Sequence, residues 1–175
     1  EQDINYMSRL KKRSILTNPD ITNAIAHATC TTAMDLNASA IITVSNSGRT
    51  ARMVSKYRPA CPIIGCSVNK DVCRKMSLSW GVTPLLVELK HNSDELFDHA
   101  VDKAEEMGLI KQGEIVVLTA GVPLGISGTT NMIKVHVAGH ILMQGKGLND
   151  KVDSGNMCVV NSAEELKEKF KVGDI

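Results

Sequence analysis

The sequence predicts a doubly wound α/β domain: a mostly parallel sheet with helices on both faces. Three observations carry this prediction. Between residues 22 and 138, short apolar runs alternate with segments of helical period through short links. The runs at 40–44, 62–66 and 114–119 are apolar nearly throughout, the pattern of strands covered on both sides. The segment Thr43-Val44-Ser45-Asn46-Ser47-Gly48-Arg49-Thr50 joins the first of these runs to a helix through a turn crowded with hydroxyls and free amides.

Taken in order, residues 4–13 read as a short polar helix, an entry arm followed by a loop through Asn18-Pro19-Asp20. From Thr22 to Asn37, Ile25, Ala28, Thr29, Thr32, Ala33 and Leu36 recur at helical spacing and form one buried stripe. Strand 40–44 and helix 49–57, stopped by Pro59, lead to the apolar strand 62–66. Asn69 caps a helix carrying Val72, Met76 and Trp80 that ends at Gly81, and residues 83–89 form a third strand. Ser93 is the expected cap of helix 94–107, whose inward face is Leu96, Phe97, Ala100, Val101 and Ala104. Asp94 and Glu95 suit its positive end, and Gly108 ends it. Strand 114–119 exits into the glycine- and hydroxyl-rich stretch 120–131. Residues 133–138 alternate as an edge strand, with His136 facing solvent or a neighbouring subunit.

The 175 residues carry a formal net charge of +1, so no bulk electrostatic attraction to nucleic acid or an anionic membrane is expected. No apolar run has the length of a signal peptide or membrane span, which makes the cytoplasm the default location. The five cysteines (Cys30, Cys61, Cys66, Cys73, Cys158) include no C-x-x-C pair, so reduced, mostly buried thiols are expected rather than a disulfide framework or a metal site. His27 precedes Cys30 by three positions, yet tetrahedral sites draw on tighter ligand pairs. No paired carboxylates, nucleophile elbow or other catalytic set stands out.

A helix start leaves backbone N–H groups without partners and carries the positive end of the dipole. A phosphate beside Ser47 and Gly48 would therefore meet amides, hydroxyls and the Arg49 charge together. The same residues also fit a plain helix cap, with Ser47 serving its own helix. Both special loops, 45–50 and 120–131, follow strands at the carboxyl end of the sheet, where ligands of such folds sit, so the two are expected to converge.

Ser45-Asn46-Ser47-Gly48-Arg49-Thr50-Ala51, Ser55-Lys56-Tyr57-Arg58-Pro59 with Pro62-Ile63-Ile64, Gly81-Val82-Thr83-Pro84, and Gly128-Thr129-Thr130-Asn131 with Val135 resemble the C-terminal regulatory domain of pyruvate kinase in order and spacing. The resemblance covers residues 15–138. It implies a parent enzyme that transfers phosphoryl from phosphoenolpyruvate to ADP with magnesium and potassium, using a catalytic (β/α)8 barrel; this chain alone, with no cofactor of its own, is not expected to catalyse the reaction. It further implies self-association and a phosphorylated small-molecule effector held by Ser45, Asn46, Ser47, Gly48, Arg49 and Thr50, with Gly128 and Thr129 on a covering loop. Relatives that take a bisphosphate often present Trp and Arg before the fourth helix. Here His91-Asn92-Ser93-Asp94-Glu95-Leu96 offers two carboxylates instead, which favours a monophosphate such as ribose 5-phosphate, glucose 6-phosphate or AMP.

The expected organisation is an entry helix or linker over 1–14, the regulatory domain over 15–140, and a short incomplete piece over 141–175. In that piece Gly145-Lys146-Gly147, the strand-like Ser154-Gly155-Asn156-Met157-Cys158-Val159-Val160 and the capping box Ser162-Ala163-Glu164-Glu165 resemble the opening of the extra phosphohistidine-type domain of some bacterial pyruvate kinases. The piece lacks that domain's Thr-Ser-His segment, and Ile175 falls in the start of a further strand, as in an excised fragment. Two other readings remain open. Ser45 to Thr50 also resembles the sugar-phosphate turn of SIS-type sugar isomerase domains, and a domain serving only to assemble subunits would use the turn as a helix cap.

Overall fold

The computed structural model describes residues 20–90, 92–123 and 130–139, together with Glu165. The chain divides into two compact units, Glu1–Gly139 and His140–Ile175. The second is described only at Glu165, which is helical. The helix expected over 4–13 and the remaining features expected beyond 140 lie outside the described residues, as do His91, Gly128 and Thr129.

The first unit contains, in order, α1 (Ile21–Asp35), β1 (Ala40–Val44), α2 (Arg49–Tyr57), β2 (Ile63–Ser67), α3 (Lys70–Met76), β3 (Val82–Leu86), α4 (Ser93–Glu106), β4 (Ile115–Ala120) and β5 (Met132–Val137). They build one five-stranded sheet in the order β3-β2-β1-β4-β5. The first four strands pair in parallel and β5 joins β4 antiparallel, so the sheet is mostly parallel as expected.

All five residues of β1 are buried, because successive side chains enter two different cores. On one face Ala40, Ile42 and Val44 join Ile64, Cys66, Val116 and Leu118 beneath Leu96, Phe97, Ala100, Val101 and Ala104 of α4. On the other, Ile41, Ile63 and Val117 meet Ala26, Cys30 and Ala33 of α1 with Val54 and Tyr57 of α2. Burying each large side chain contributes about 1.5–3 kcal/mol, so both layers hold the sheet.

Several element ends differ from the expectation. The first helix stops at Asp35: Asn37 turns left-handed at φ 50°, and its N–H and that of Ala38 return to the carbonyls of Met34 and Ala33. Helix α3 ends at Met76, where Leu78 and Ser79 amides switch to carbonyls three residues back. Trp80 is therefore off that helix. Its carbonyl accepts from Ser55 Oγ at 2.6 Å, and its ring takes the Arg58 guanidinium at 5.5 Å. Strand β3 is shorter than 83–89 because its partner β2 ends at Ser67; Leu89 is already 76% exposed. The cap of α4 is Asn92 rather than Ser93. Asn92 Oδ1 accepts from the Glu95 amide at 2.7 Å and its Nδ2 donates to Glu95 Oε1 at 2.7 Å, a reciprocal box. At the far end the Gly108 and Leu109 amides close on Glu105 and Ala104, so Gly108 does end α4.

Candidate functional site

Strands β1 and β4 are neighbours whose last residues, Val44 and Ala120, are register partners. From β1 the chain passes into α2 on one face of the sheet, whereas β4 is reached from α4 on the other. The strand order thus reverses between β1 and β4, and the crevice beyond their carboxyl ends is the switch point where open α/β sheets bind ligands. The 45–50 turn and both described ends of the 120–131 stretch emerge there.

The turn is organised by Ser45. Its N–H donates to the Cys66 carbonyl at 3.1 Å, and its Oγ accepts from the amides of Gly48 at 3.1 Å and Ser47 at 3.4 Å. Those two amides are therefore held inside the turn. Among the described residues no acceptor takes the Ser45 hydroxyl proton. Gly48 occupies the N-cap of α2 at φ 71° and makes no side-chain cap. A Cβ there would lie 2.8 Å from Met76 Cγ, so only glycine lets the turn rest on α3. Ser47 is not the cap, which removes the plain reading of its hydroxyl.

Asn46, Ser47 and Arg49 are exposed. Helix α2 has no acidic residue in its first turn, and among the described residues no ion pair engages Arg49. The amides of Arg49, Thr50 and Ala51 have no acceptor within the helix. Among the described residues the positive end of α2 thus has no acidic partner, and Ser47 beside it is exposed.

Thr50 differs from its neighbours. It is buried, and its hydroxyl oxygen lies 2.8 Å from that of Thr130, also buried. The 120–131 stretch is tied at its base by Asn131: its Oδ1 accepts from the Val122 amide at 2.8 Å, its Nδ2 donates to the Val122 carbonyl at 2.6 Å, and its own amide returns to Ala120. The structure therefore brings the two loops together through Thr50 and Thr130, while Gly128 and Thr129 lie outside the described residues. Thr130, Asn131 and Met76 were not expected as site residues. Thr130 and Asn131 stand in the hydroxyl-rich motif Gly128-Thr129-Thr130-Asn131, which was their signal, whereas nothing in the sequence marked Met76.

Burial pushes the Cys30 and Cys66 thiols up to about 12 and also raises those of Cys61 and Cys73, so all four stay protonated at neutral pH. His27 packs edge-on against Tyr57, with ring centres 5.4 Å apart. Among the described residues no group of three or more His, Cys, Asp or Glu is arranged to hold a metal ion. A cleft of about 600 Å³, lined by Met34, Asn37, Ser39, Cys61 and Pro62 among others, opens near the amino ends of β1 and β2.

Fold and site together define a doubly wound α/β domain with a serine-glycine turn at its switch point. The chain belongs to the pyruvate kinase alpha/beta domain family, whose model matches residues 23–136. It is 41% identical to the pyruvate kinase of Geobacillus stearothermophilus over all 175 residues, covering 30% of that protein. It is 47% identical to that of Clostridium acetobutylicum over 137 residues, 78% of this chain and 29% of that one. A crystal structure of a pyruvate kinase from Cryptosporidium parvum superposes with a TM-score of 0.70 at 29% identity, over 79% of this chain and 27% of that one. The structure of the Cryptosporidium parvum enzyme in complex with ADP gives 0.69 at 30% identity, over 78% and 28%. The chain thus spans about 30% of the length of the curated relatives it matches. These comparisons lend the sugar isomerase reading no support.

Proposed function

We propose that the chain is the effector-binding regulatory domain of a pyruvate kinase, which transfers phosphoryl from phosphoenolpyruvate to ADP through a catalytic barrel elsewhere in the parent protein. The observation that carries this reading is the start of α2 at the switch point, which has no acidic residue in its first turn and has Ser47 and Arg49 exposed beside it. A phosphate there would take the Ser45 and Ser47 hydroxyl protons, the Arg49 guanidinium and the first amides of α2, with Asn46 at the rim, Gly48 admitting the close approach and Thr50 contributing its N–H. Gly128 and Thr129 are assigned to the same effector on the family resemblance. Magnesium and potassium belong to the catalytic part of the parent. Residues 141–175 are read as the start of an extra phosphohistidine-type domain; the match to the Geobacillus protein over the whole chain, against 137 residues for the Clostridium one, supports this. A second copy of the chain is the expected partner, and the cytoplasm the expected location. No helix among the described residues is long and apolar enough to cross a membrane.

Calorimetry with ribose 5-phosphate, glucose 6-phosphate, AMP and fructose 1,6-bisphosphate tests the site. Charge-assisted hydrogen bonds contribute about 1.5–3 kcal/mol, so Arg49→Ala should weaken the preferred monophosphate roughly tenfold or more, and Ser47→Ala less. Residual binding to the helix amides should remain. Binding indifferent to both substitutions, or absent in the millimolar range, refutes the phosphate site. Preference for the bisphosphate refutes the inference drawn from Asp94 and Glu95.

A further inference from the structure

We infer that Arg52 and Lys56 steer the anionic effector to the 45–50 turn: with Arg49 they form a cationic track down α2 that speeds capture, and neither of them holds the bound phosphate. This rests on the phosphate reading of the turn and deepens it, by separating the residues that bring the anion in from those that keep it.

The formal net charge of +1 conceals a segregation between the two faces of the sheet. Every exposed residue of α2 is cationic: Arg49, Arg52 and Lys56. Helix α3, whose Met76 packs against Gly48, exposes Lys70, Arg74 and Lys75 against a single acid, Asp71, and that acid is tied to Arg74 at 3.1 Å. Across the sheet from α2, every exposed residue of α4 is acidic: Asp94, Glu95, Asp98 and Glu106. Two of those carboxylates have lysine partners, Lys134 on Asp94 and Lys103 on Glu106. Among the described residues no ion pair engages any of the three α2 cations.

An anion nearing the carboxyl ends of β1 and β4 is thus repelled from the α4 side and drawn to the α2 side. At the helical rise, Arg52 and Lys56 stand about 4.5 and 10 Å beyond Arg49 along the axis, and their Cα–Cβ bonds tilt back toward the turn. The Debye length is about 8 Å at physiological ionic strength and about 30 Å at 0.01 M, so both charges reach an anion at the turn, most strongly in dilute salt. Holding it is a different matter. The Arg52 amide is already bonded to the Gly48 carbonyl at 3.2 Å, so the free amides of α2 end before Arg52. Charges beside a site rather than in it act on the association rate and its salt dependence.

Phosphorus NMR line shapes over a titration of the full chain with ribose 5-phosphate give both rate constants. Glutamine keeps the helix propensity of the residues it replaces, so Arg52→Gln and Lys56→Gln should unfold at the wild-type temperature. At an ionic strength of about 0.01 M each should lower the association rate about twofold and the pair about fivefold, with the dissociation rate changed by less than about twofold. In about 1 M salt the differences should vanish, because the Debye length falls to about 3 Å. Lys111→Gln, before β4 at the amino end of the sheet, should change neither rate. Arg49→Ala should act mainly on the dissociation rate, as expected of a residue that holds the phosphate. If Arg49→Ala weakens binding while Arg52→Gln and Lys56→Gln leave the association rate and its salt dependence untouched, steering is overturned and the phosphate site stands. A raised dissociation rate in either glutamine variant would overturn it equally and make that residue a direct ligand. If the wild-type chain binds neither ribose 5-phosphate nor inorganic phosphate, the phosphate reading fails and steering with it.

Discussion

At the residue scale, the cost of placing an anion among carbon atoms makes the thiols a measurable probe of the core. Cys30 and Cys66 are fully buried, and burial raises each thiol from 9.0 to about 12. Between these values the unfolded chain has released protons that the folded chain retains. Stability from this source is therefore complete below pH 9 and falls as pH rises toward 12, by about 1.4 kcal/mol per pH unit for each thiol. Urea unfolding of wild type and Cys66→Ala at pH 7.5, 9.5 and 10.5 checks this. The variant should be less stable throughout yet fall less steeply above pH 9; equal slopes would mean that the Cys66 thiol is reached by water. Residue types were legible in the sequence to this extent: cysteines without tight pairs read as buried thiols, and Ser45 to Arg49 read as a polar turn. The direction of each side chain was not. Thr50 shares its hydroxyl chemistry with Ser45 and Ser47, and only the packed neighbour Thr130 decides that it points inward.

Elements were legible where pattern and punctuation agree. The apolar run of β1 and the span of α2, between the Ser-Gly turn and Pro59, lie where the sequence predicts them. Ends failed where two residues could do the same work. Asn92 and Ser93 are both good caps and adjacent, and the structure selects Asn92 because its amide can accept from the Glu95 N–H while donating to the Glu95 carboxylate. Asn92→Ala should therefore destabilise the domain by about 0.5–2 kcal/mol, and Ser93→Ala by less than about 0.5 kcal/mol. Urea denaturation of both variants measures the difference, and a larger loss at Ser93 would restore it as the cap. Spacing alone puts Trp80 on a helix. Spacing cannot report that the ladder of α3 loosens after Met76, nor that Ser55 and Arg58 hold the indole residue from another helix.

On the scale of the molecule, alternation of strand and helix was enough to predict a mostly parallel sheet, and parallel sheets bring loops after strands to one end. The convergence of the 45–50 turn with the 120–131 stretch followed from that, although the ties that hold them, Thr50 with Thr130 and Asn131 with Val122, join positions no periodicity connects. The alternating pattern of the last strand likewise marked β5 as an edge. Strand β5 pairs only with β4, which leaves its outer N–H and C=O groups free of any described strand. On its α1 side Ile133 is packed in the core, but Val135 and Val137 are 47% and 45% exposed. An open edge with two uncovered valines is a template for a second strand, and two copies meeting there across a two-fold axis would each present the same patch. The chain should therefore sediment as a dimer at tens of micromolar. Val135→Lys should shift it toward monomer by setting like charges near one another, while changing monomer stability by less than about 0.5 kcal/mol, as expected for an exposed site. Sedimentation velocity over a concentration series reads the equilibrium and thermal unfolding supplies the control. A wild-type chain that stays monomeric throughout, or a dimer untouched by Val135→Lys, would move the contact away from β5.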